Sequence, residues 1–211
     1  MTGGGGTPAV PGDAVAGAVV HADADPPADP LDLARAWLPA DADPERPRVA
    51  LATVGEDGYP NVRTVLLSAF DETGFAFHTA AGSRKVAELA ALPRASLVVL
   101  WPDFGRQLVV RGDVVPDPTD SAGAAWMART EYLRRLAHLN TAEFAGLPLA
   151  DRVDRWAALP LPSDAEPADS WVGYRLRPRE ITFWAGHAAT ASRRLQYRRG
   201  TGGWTVARLP G

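Results

Sequence analysis

The first half of the chain is dominated by short apolar runs in which hydrophobic and polar residues tend to alternate. A period of two is typical of strands with one buried face, and Gly55–Gly58 and Asp71–Gly74 between the runs are typical of turns. One run, Ala95–Trp101, is almost continuously apolar, which predicts a strand buried on both faces. The pattern predicts strands over Arg48–Val54, Val62–Phe70, Phe75–Thr79, Ala95–Trp101 and Gln107–Val115.

Helical periodicity interrupts these strands. Leu31–Leu38 has the spacing of an amphipathic helix that begins near Asp29 or Asp32. A proline suits the first turn of a helix, and Pro118 precedes a helical pattern that continues to about Leu139. A shorter helix is predicted near 151–159. The apolar face of the long helix would consist of Ala125, Met127, Tyr132, Leu133, Leu136 and Leu139.

The last forty residues again have the pattern of short strands. Several short strands joined by tight turns, with helices inserted, predict a mainly β fold with helices, built as a small antiparallel barrel. Residues 1–29 are rich in Gly, Ala, Pro and Asp and contain no Phe, Trp or Tyr, so we expect a flexible tail before one domain at 30–211. The late strands are predicted at Trp171–Leu176, Ile181–Ala185, Arg194–Arg198 and Trp204–Leu209.

Composition narrows the classes of function. The chain has 211 residues, a net charge of −3, four scattered histidines and no cysteine. This charge gives no electrostatic basis for binding nucleic acid or an anionic membrane, and no histidine spacing indicates a metal. No apolar run approaches the ~20 residues of a membrane span, and no secretory signal is evident. We therefore expect a cytoplasmic protein without a metal.

A basic helix start at Gly82–Lys85 is the first candidate for binding chemistry. Ser83 is a good N-cap residue for a helix over Val86–Leu92, and the unpaired N–H groups of a helix start favour an anion. Arg84 and Lys85 add two cations there, and Lys85 is the only lysine in the chain. A phosphate-sized anion fits this tetrapeptide, and so does a solvated helix end without a ligand.

Three features in order resemble the FMN-binding core of the pyridoxamine 5'-phosphate oxidase family: Arg63 on a strand, the helix start at Ser83–Lys85, and the strand that opens with Arg106–Gln107. The segment Trp171–Pro210 is similar to that family's closing segment, so the resemblance covers roughly residues 31 to 211. It implies an FMN-binding split β-barrel, antiparallel and Greek-key-like, with flanking helices. It also implies a homodimer with the FMN site at its two-fold interface, barrel residues coming from one subunit and closing-segment residues from the other.

The resemblance assigns cofactor roles to two groups of residues. One group matches cations and hydroxyls around the FMN phosphate, and the other, Gln107, Trp184 and Arg194, matches residues around the isoalloxazine ring. The cofactor-binding residues that it implies are Arg63, Val65, Leu66, His78, Thr79, Ser83, Arg84, Lys85, Gln107, Trp184 and Arg194.

The substrate half of the site departs from the family pattern. Ser68 stands where the family has a lysine, and Ala125, Glu131 and Leu133 stand where its middle helix carries tyrosine, arginine and serine. The family's Arg-Leu-His-Asp-Arg run corresponds here to Thr190–Arg194, which keeps only the last, flavin-side arginine.

Two parts of the match to the family pattern have alternatives. A register change in the helix would return one of Arg129, Arg134 or Arg135 to the site, and the family's Gln-Ser pair has no clear match in 140–143. The candidate substrate-binding residues are Ser68, Glu131, His187, Ser192 and Arg193.

The resemblance implies an FMN-dependent oxidoreductase. Hydride would pass from a small cyclic amine, alcohol or dihydro-aromatic substrate to FMN, with O₂ as acceptor and without an identified catalytic residue. One alternative is a genuine pyridoxamine or pyridoxine 5'-phosphate oxidase with an atypical pocket. The other is a split barrel that binds a flavin or deazaflavin without turnover.

Overall fold

The computed structural model describes residues 25–38, 47–101, 105–117, 119–162, 164–168, 170–186 and 189–211. Most of the predicted tail therefore lies outside the described residues. Within those ranges, no helix has the length and apolar character needed to cross a membrane. The elements are α1 Pro30–Trp37, β1 Arg48–Val54, β2 Pro60–Leu66, β3 Ala69–Asp71, β4 Gly74–Ala80, α2 Arg84–Ala91, β5 Arg94–Leu100, β6 Arg106–Pro116, α3 Thr119–Met127, α4 Glu131–Leu139, α5 Ala142–Ala145, α6 Leu149–Ala158, β7 Trp171–Ala185, β8 Arg193–Gly200 and β9 Gly203–Pro210.

Antiparallel pairing joins the strands into one sheet in the order β2-β1-β5-β6-β7-β4-β3, with β8 added to β7 and β9 added to β8. β2, at one end of this order, also contacts β4 near the other end, so the sheet curls into a half-barrel. This confirms the predicted mainly β fold with flanking helices.

The core lies on the inner face of this half-barrel. Cross-strand partners form a continuous buried row over five adjacent strands, because side chains directly opposite one another share a face. α1 covers one end of the barrel, where Trp37 packs edge-to-face on Phe183 with ring centroids 5.1 Å apart. The row consists of Leu51, Leu97, Val110, Ile181 and Tyr197.

Strand continuity differs from the sequence prediction at three places. The strand predicted at Val62–Phe70 breaks after Leu66, and the link residue Ser68 donates its N–H to the carbonyl of Ala76. The two strands predicted at 171–176 and 181–185 are the single strand β7, because a register shift opposite Gly112 accommodates Pro178. β5 buries only one face: its residues alternate between buried and half-buried positions.

The prediction of one long helix over Pro118–Leu139 is also wrong. It is divided into α3 and α4 at Thr130, whose hydroxyl accepts a hydrogen bond from the backbone N–H three residues later. The break changes which face of the helices is buried. Met127 and Tyr132, which were predicted to be core residues, are 56% and 62% exposed, whereas Trp126 is buried.

A polar layer lies outside the half-barrel, where α3 packs on β7. His78 is buried there, stacks on Trp171 at 5.3 Å, and has hydrogen-bond partners on neither ring nitrogen among the described residues. Burial lowers the pKa of His78 to about 4; the nearby Asp117 opposes this shift, while Arg129 and Arg175 add to it. His78 is therefore neutral at pH 7.

Because the folded-state pKa of His78 lies below its unfolded value of 6.5, protonation favours the unfolded chain. We expect the stability contributed by neutral His78 to be complete above pH 6.5 and to be lost as the pH falls towards 4, by about 3 kcal/mol in total. Urea unfolding of the wild type and of His78→Asn, at one protein concentration, measures this loss. The difference in unfolding free energy between the two proteins should shrink over that window. Parallel pH profiles would show that His78 does not titrate in this way.

Candidate functional site

A basic cluster lies where β4 and β2 approach each other at the start of α2. Lys85 donates to the hydroxyl of Thr79 at 2.9 Å, and that hydroxyl lies 3.3 Å from the hydroxyl of Ser83. Ser83 holds the N-cap position of α2, but its side chain makes no capping hydrogen bond. Partial burial lowers the pKa of Lys85, and the positive charge of Arg63 lowers it further. The structure thus brings together four of the predicted phosphate-binding residues.

A buried carboxylate that the sequence analysis did not identify joins the cluster. Glu88 accepts from Arg63 at 2.7 Å and from Arg84 at 2.9 Å. It also accepts from the Thr53 hydroxyl and, at 2.8 Å, from the side-chain amide of Asn61. The spacing of Arg84 and Glu88, four residues apart on a helix, was the available sequence signal, but strand pairing alone brings in the other donors.

Glu88 is ionised in this environment. Burial by itself would raise its pKa, but hydrogen bonds from Thr53 and Arg63 and the charges of Arg63 and Arg84 outweigh burial and lower the pKa. Three cations, including Lys85, therefore surround one carboxylate and leave two net positive charges. This excess suits a phosphate dianion, so the residues fit the phosphate end of FMN.

Arg84 additionally faces an open surface pocket of about 360 Å³. Its lining includes Glu56, Asp57 and Glu88, so the pocket is acidic and unsuited to a phosphate. The Lys85 and Thr79 side of the cluster, with Arg84 at its edge, therefore suits a phosphate better than this pocket does.

The three residues matched to the flavin ring form a row across adjacent strands. Gln107 on β6 pairs with Trp184 on β7, and Trp184 pairs with Arg194 on β8. Their neighbours along the strands face the core, so the row lies on the outer face of the sheet. The Trp184 indole N–H donates to Ser192 at 3.0 Å, which fixes the ring against the chain that precedes β8.

The ring row and the basic cluster lie at opposite ends of β7. Thr79 pairs with Val172, whereas Gln107 pairs with Trp184, twelve positions further along the same strand. A strand of that length extends roughly 40 Å. Along β7, the partner of Thr79 and the ring row are therefore widely spaced within one chain.

The resemblance also matches three other residues to the cofactor. Val65 and Leu66 stand at the end of β2, where Val65 packs against the core and Leu66 is half-buried. His78 lies next to Thr79 but faces the opposite side of β4, because adjacent strand residues alternate. A ligand at Thr79 reaches His78 through its backbone only, so a side-chain role for His78 is not supported.

The candidate substrate residues are dispersed. Ser68 is buried in the link between β2 and β3, and Glu131 is an exposed residue of α4 whose carboxylate accepts from Arg135 at 2.8 Å. Ser192 and Arg193 lie beside the ring row at the start of β8. His187 lies outside the described residues. Of the candidate substrate residues that the structure describes, only Ser192 and Arg193 therefore lie beside the ring row.

Arg129 is a largely buried arginine at the junction of α3 and α4. It lies over the Trp171 ring at 4.1 Å and donates to the His78 carbonyl at 3.5 Å. Among the described residues it has no carboxylate partner, and burial lowers its pKa to about 10. A largely buried arginine without a counter-ion suits an anionic group on a ligand. The sequence pattern alone did not distinguish Arg129 from Arg134 and Arg135.

The sequence matches two family models and several curated enzymes. A family model described as pyridoxamine 5'-phosphate oxidase matches residues 34–185, and one described as pyridoxine 5'-phosphate oxidase C-terminal dimerisation region matches residues 171–210. A curated pyridoxine/pyridoxamine 5'-phosphate oxidase from Cereibacter sphaeroides is 37% identical over 193 residues, covering 86% of this chain and 94% of its own. The enzyme of that name from Hyphomonas neptunium is 38% identical, with coverage of 85% and 86%.

Solved structures agree with this result. PhzG from Burkholderia lata, in complex with tetrahydrophenazine-1-carboxylic acid, superposes with a TM-score of 0.74 at 27% identity, covering 89% of this chain and 95% of its own. A pyridoxamine 5'-phosphate oxidase-related, FMN-binding protein from Nostoc punctiforme shares the fold, with a TM-score of 0.65, 20% identity, and coverage of 78% and 88%. The chain described here belongs to the pyridoxamine 5'-phosphate oxidase family.

Proposed function

We propose that this protein is an FMN-dependent oxidoreductase that oxidises a small ring substrate carrying an anionic group. The observation that carries the proposal is the basic cluster, whose three cations exceed its one buried carboxylate by two charges. Family membership and the row at Trp184 support FMN as the ligand that uses this cluster.

FMN, when bound, supplies the electron acceptor that takes hydride from a substrate carbon. The residues of this chain have binding and orienting roles. Lys85, Arg63 and Arg84 would hold the phosphate, with hydroxyls from Thr79 and Ser83. At the ring end, the Gln107 amide and the Arg194 guanidinium would donate to polar atoms of the ring, which would favour negative charge on the reduced ring.

The two-ended arrangement of these groups supports a homodimer with shared sites. The path along β7 from the partner of Thr79 to Trp184 is roughly 40 Å, which is much longer than a flavin. We infer that a second subunit supplies one of the two groups to each ligand. The match of residues 171–210 to a dimerisation region agrees with this arrangement.

The substrate proposal rests on Arg129. Its unpaired charge at Trp171 favours a phosphate or carboxylate on the substrate. Both chemistries occur among similar proteins: the curated relatives are named for phosphate esters, and the structural neighbour was solved with a ring carboxylic acid. The residues that replace the family's substrate cations, such as Ser68 and Glu131, favour a substrate other than pyridoxamine 5'-phosphate. We propose O₂ as the electron acceptor.

Removing a phosphate-binding cation should weaken binding of FMN and not of riboflavin, which lacks the phosphate. We expect Lys85→Ala and Arg63→Ala each to raise the Kd for FMN about 10- to 100-fold, since a charge-assisted bond contributes about 1.5–3 kcal/mol. Quenching of flavin fluorescence measures both affinities. Arg94→Ala, at an exposed position on β5, is the control. Equal FMN affinity in the wild type and the three variants would contradict the proposed phosphate site.

Mixing two defective subunits tests whether the site is shared. Lys85→Ala and Arg194→Ala homodimers should each bind FMN poorly, because every site lacks one group. After unfolding and refolding of an equimolar mixture, mixed dimers contain one intact site, so about a quarter of the wild-type binding capacity should return. No recovery, in refolded mixtures that do form mixed dimers, would show that both residues serve one chain's own ligand.

An anaerobic visible spectrum of the FMN-loaded protein tests the reaction. We expect bleaching of the flavin by a dihydro-aromatic carboxylic acid and recovery in air, with little bleaching by pyridoxine 5'-phosphate. Rapid bleaching by pyridoxine 5'-phosphate would instead identify a vitamin B6 oxidase. A bound flavin that no candidate reduces would favour a binding protein without turnover.

A further inference from the structure

Glu88 is buried at the base of the basic cluster, with only 2% of its surface exposed. One carboxylate oxygen accepts from Thr53 and Arg63, and the other accepts from Asn61 and Arg84. The donors come from β1, β2 and α2. A carboxylate with both oxygens doubly occupied has one orientation, so it acts as a fixed point between these elements.

The two arginines depend on this fixed point to different degrees. Arg63 is mostly buried and is also held by Thr53 and by the Leu51 carbonyl. The side chain of Arg84 is 67% exposed, and the ion pair with Glu88 is its only described contact. A long exposed arginine otherwise samples many rotamers. The pair uses its Nε, so the terminal amino groups of Arg84 stay available to a ligand.

We propose that Glu88 is a positioning residue for the cofactor, holding the guanidinium groups of Arg63 and Arg84 where the FMN phosphate binds. The inference rests on the proposed function, because it needs FMN as the ligand of this cluster. Glu88 does not itself contact the phosphate. Its effect is to order the two arginines before the ligand arrives, which lowers the cost of binding.

Electrostatics alone predicts the opposite effect of removing Glu88 on FMN binding. Glu88 carries a negative charge within 3 Å of Arg63 and Arg84, and that charge repels an incoming phosphate. If Glu88 served only to neutralise the arginines, its removal would tighten FMN binding. If it positions them, its removal loosens FMN binding despite the gain of one positive charge in the site.

The test is Glu88→Gln, which keeps the size of the side chain but replaces one acceptor oxygen by a donor. We expect the Kd for FMN to rise about tenfold, as for the loss of one well-oriented charge-assisted bond, and the Kd for riboflavin to stay within about twofold. A merely structural role would weaken both flavins in parallel. That result, or an unchanged or lower Kd for FMN, would overturn the proposal.

Lys85→Ala serves as the reference, because Lys85 bonds to Thr79 and not to Glu88. If Lys85→Ala loses the preference for FMN over riboflavin and Glu88→Gln keeps it, only this inference fails. If neither variant changes that preference, the phosphate site of the proposed function fails.

Thr53→Val provides an independent test should Glu88→Gln fail to fold. Thr53 is buried on β1, donates to Glu88 and accepts from Arg63, and valine has nearly its shape. We expect a smaller loss of FMN preference, about threefold, in the same direction. An unchanged preference in a folded Thr53→Val protein would count against positioning by this network.

Discussion

The strand pairing of β7 is the constraint on which the rest of this structure depends. This strand pairs with β4 along its first part, with β8 along its last part, and with β6 along most of its length. Its only irregularity is the register shift opposite Gly112, where Pro178 needs no hydrogen-bond acceptor. One continuous strand therefore fixes the basic cluster at one end and the ring row at the other.

The separation of those two groups has a chemical consequence. Under the shared-site proposal, each chain supplies the phosphate cluster of one site and the ring row of another. Under the shared-site proposal, dimerisation does more than add stability, because it creates the binding site. A sheet residue beside the row is compatible with that role: Leu100, which pairs with Gln107, is large, apolar and exposed.

The arginines of the two basic regions have different partners. In the cluster at α2, Glu88 balances part of the charge of Arg63 and Arg84, so the unliganded site is tolerable while a net positive charge remains. At the junction of α3 and α4, the partners of Arg129 within the described part of the chain are the Trp171 ring and a backbone carbonyl. His78, beside it, is kept neutral by burial and adds no further charge. An anionic substrate group would therefore relieve a strain that the cofactor cluster does not have.

The sequence by itself determined the location of most strands, the barrel class and a basic helix start suited to a phosphate-sized anion. Alternation along Arg48–Val54 predicted a strand with the bounds found in the structure, and Ser83–Lys85 marked a basic helix start, because both signals are local in the chain. The resemblance to the family added the pairing of this helix start with Arg63, Gln107, Trp184 and Arg194.

The tertiary structure decided which of these residues meet. Glu88 and Thr53 lie far apart in sequence, and only the packing of α2 on β1 makes them one network with Arg63. The break at Thr130, the continuity of β7 through Pro178 and the isolation of Arg129 likewise depend on contacts between distant segments. Local periodicity carries no information about such contacts, because burial and charge pairing are set by whichever element packs across from a residue.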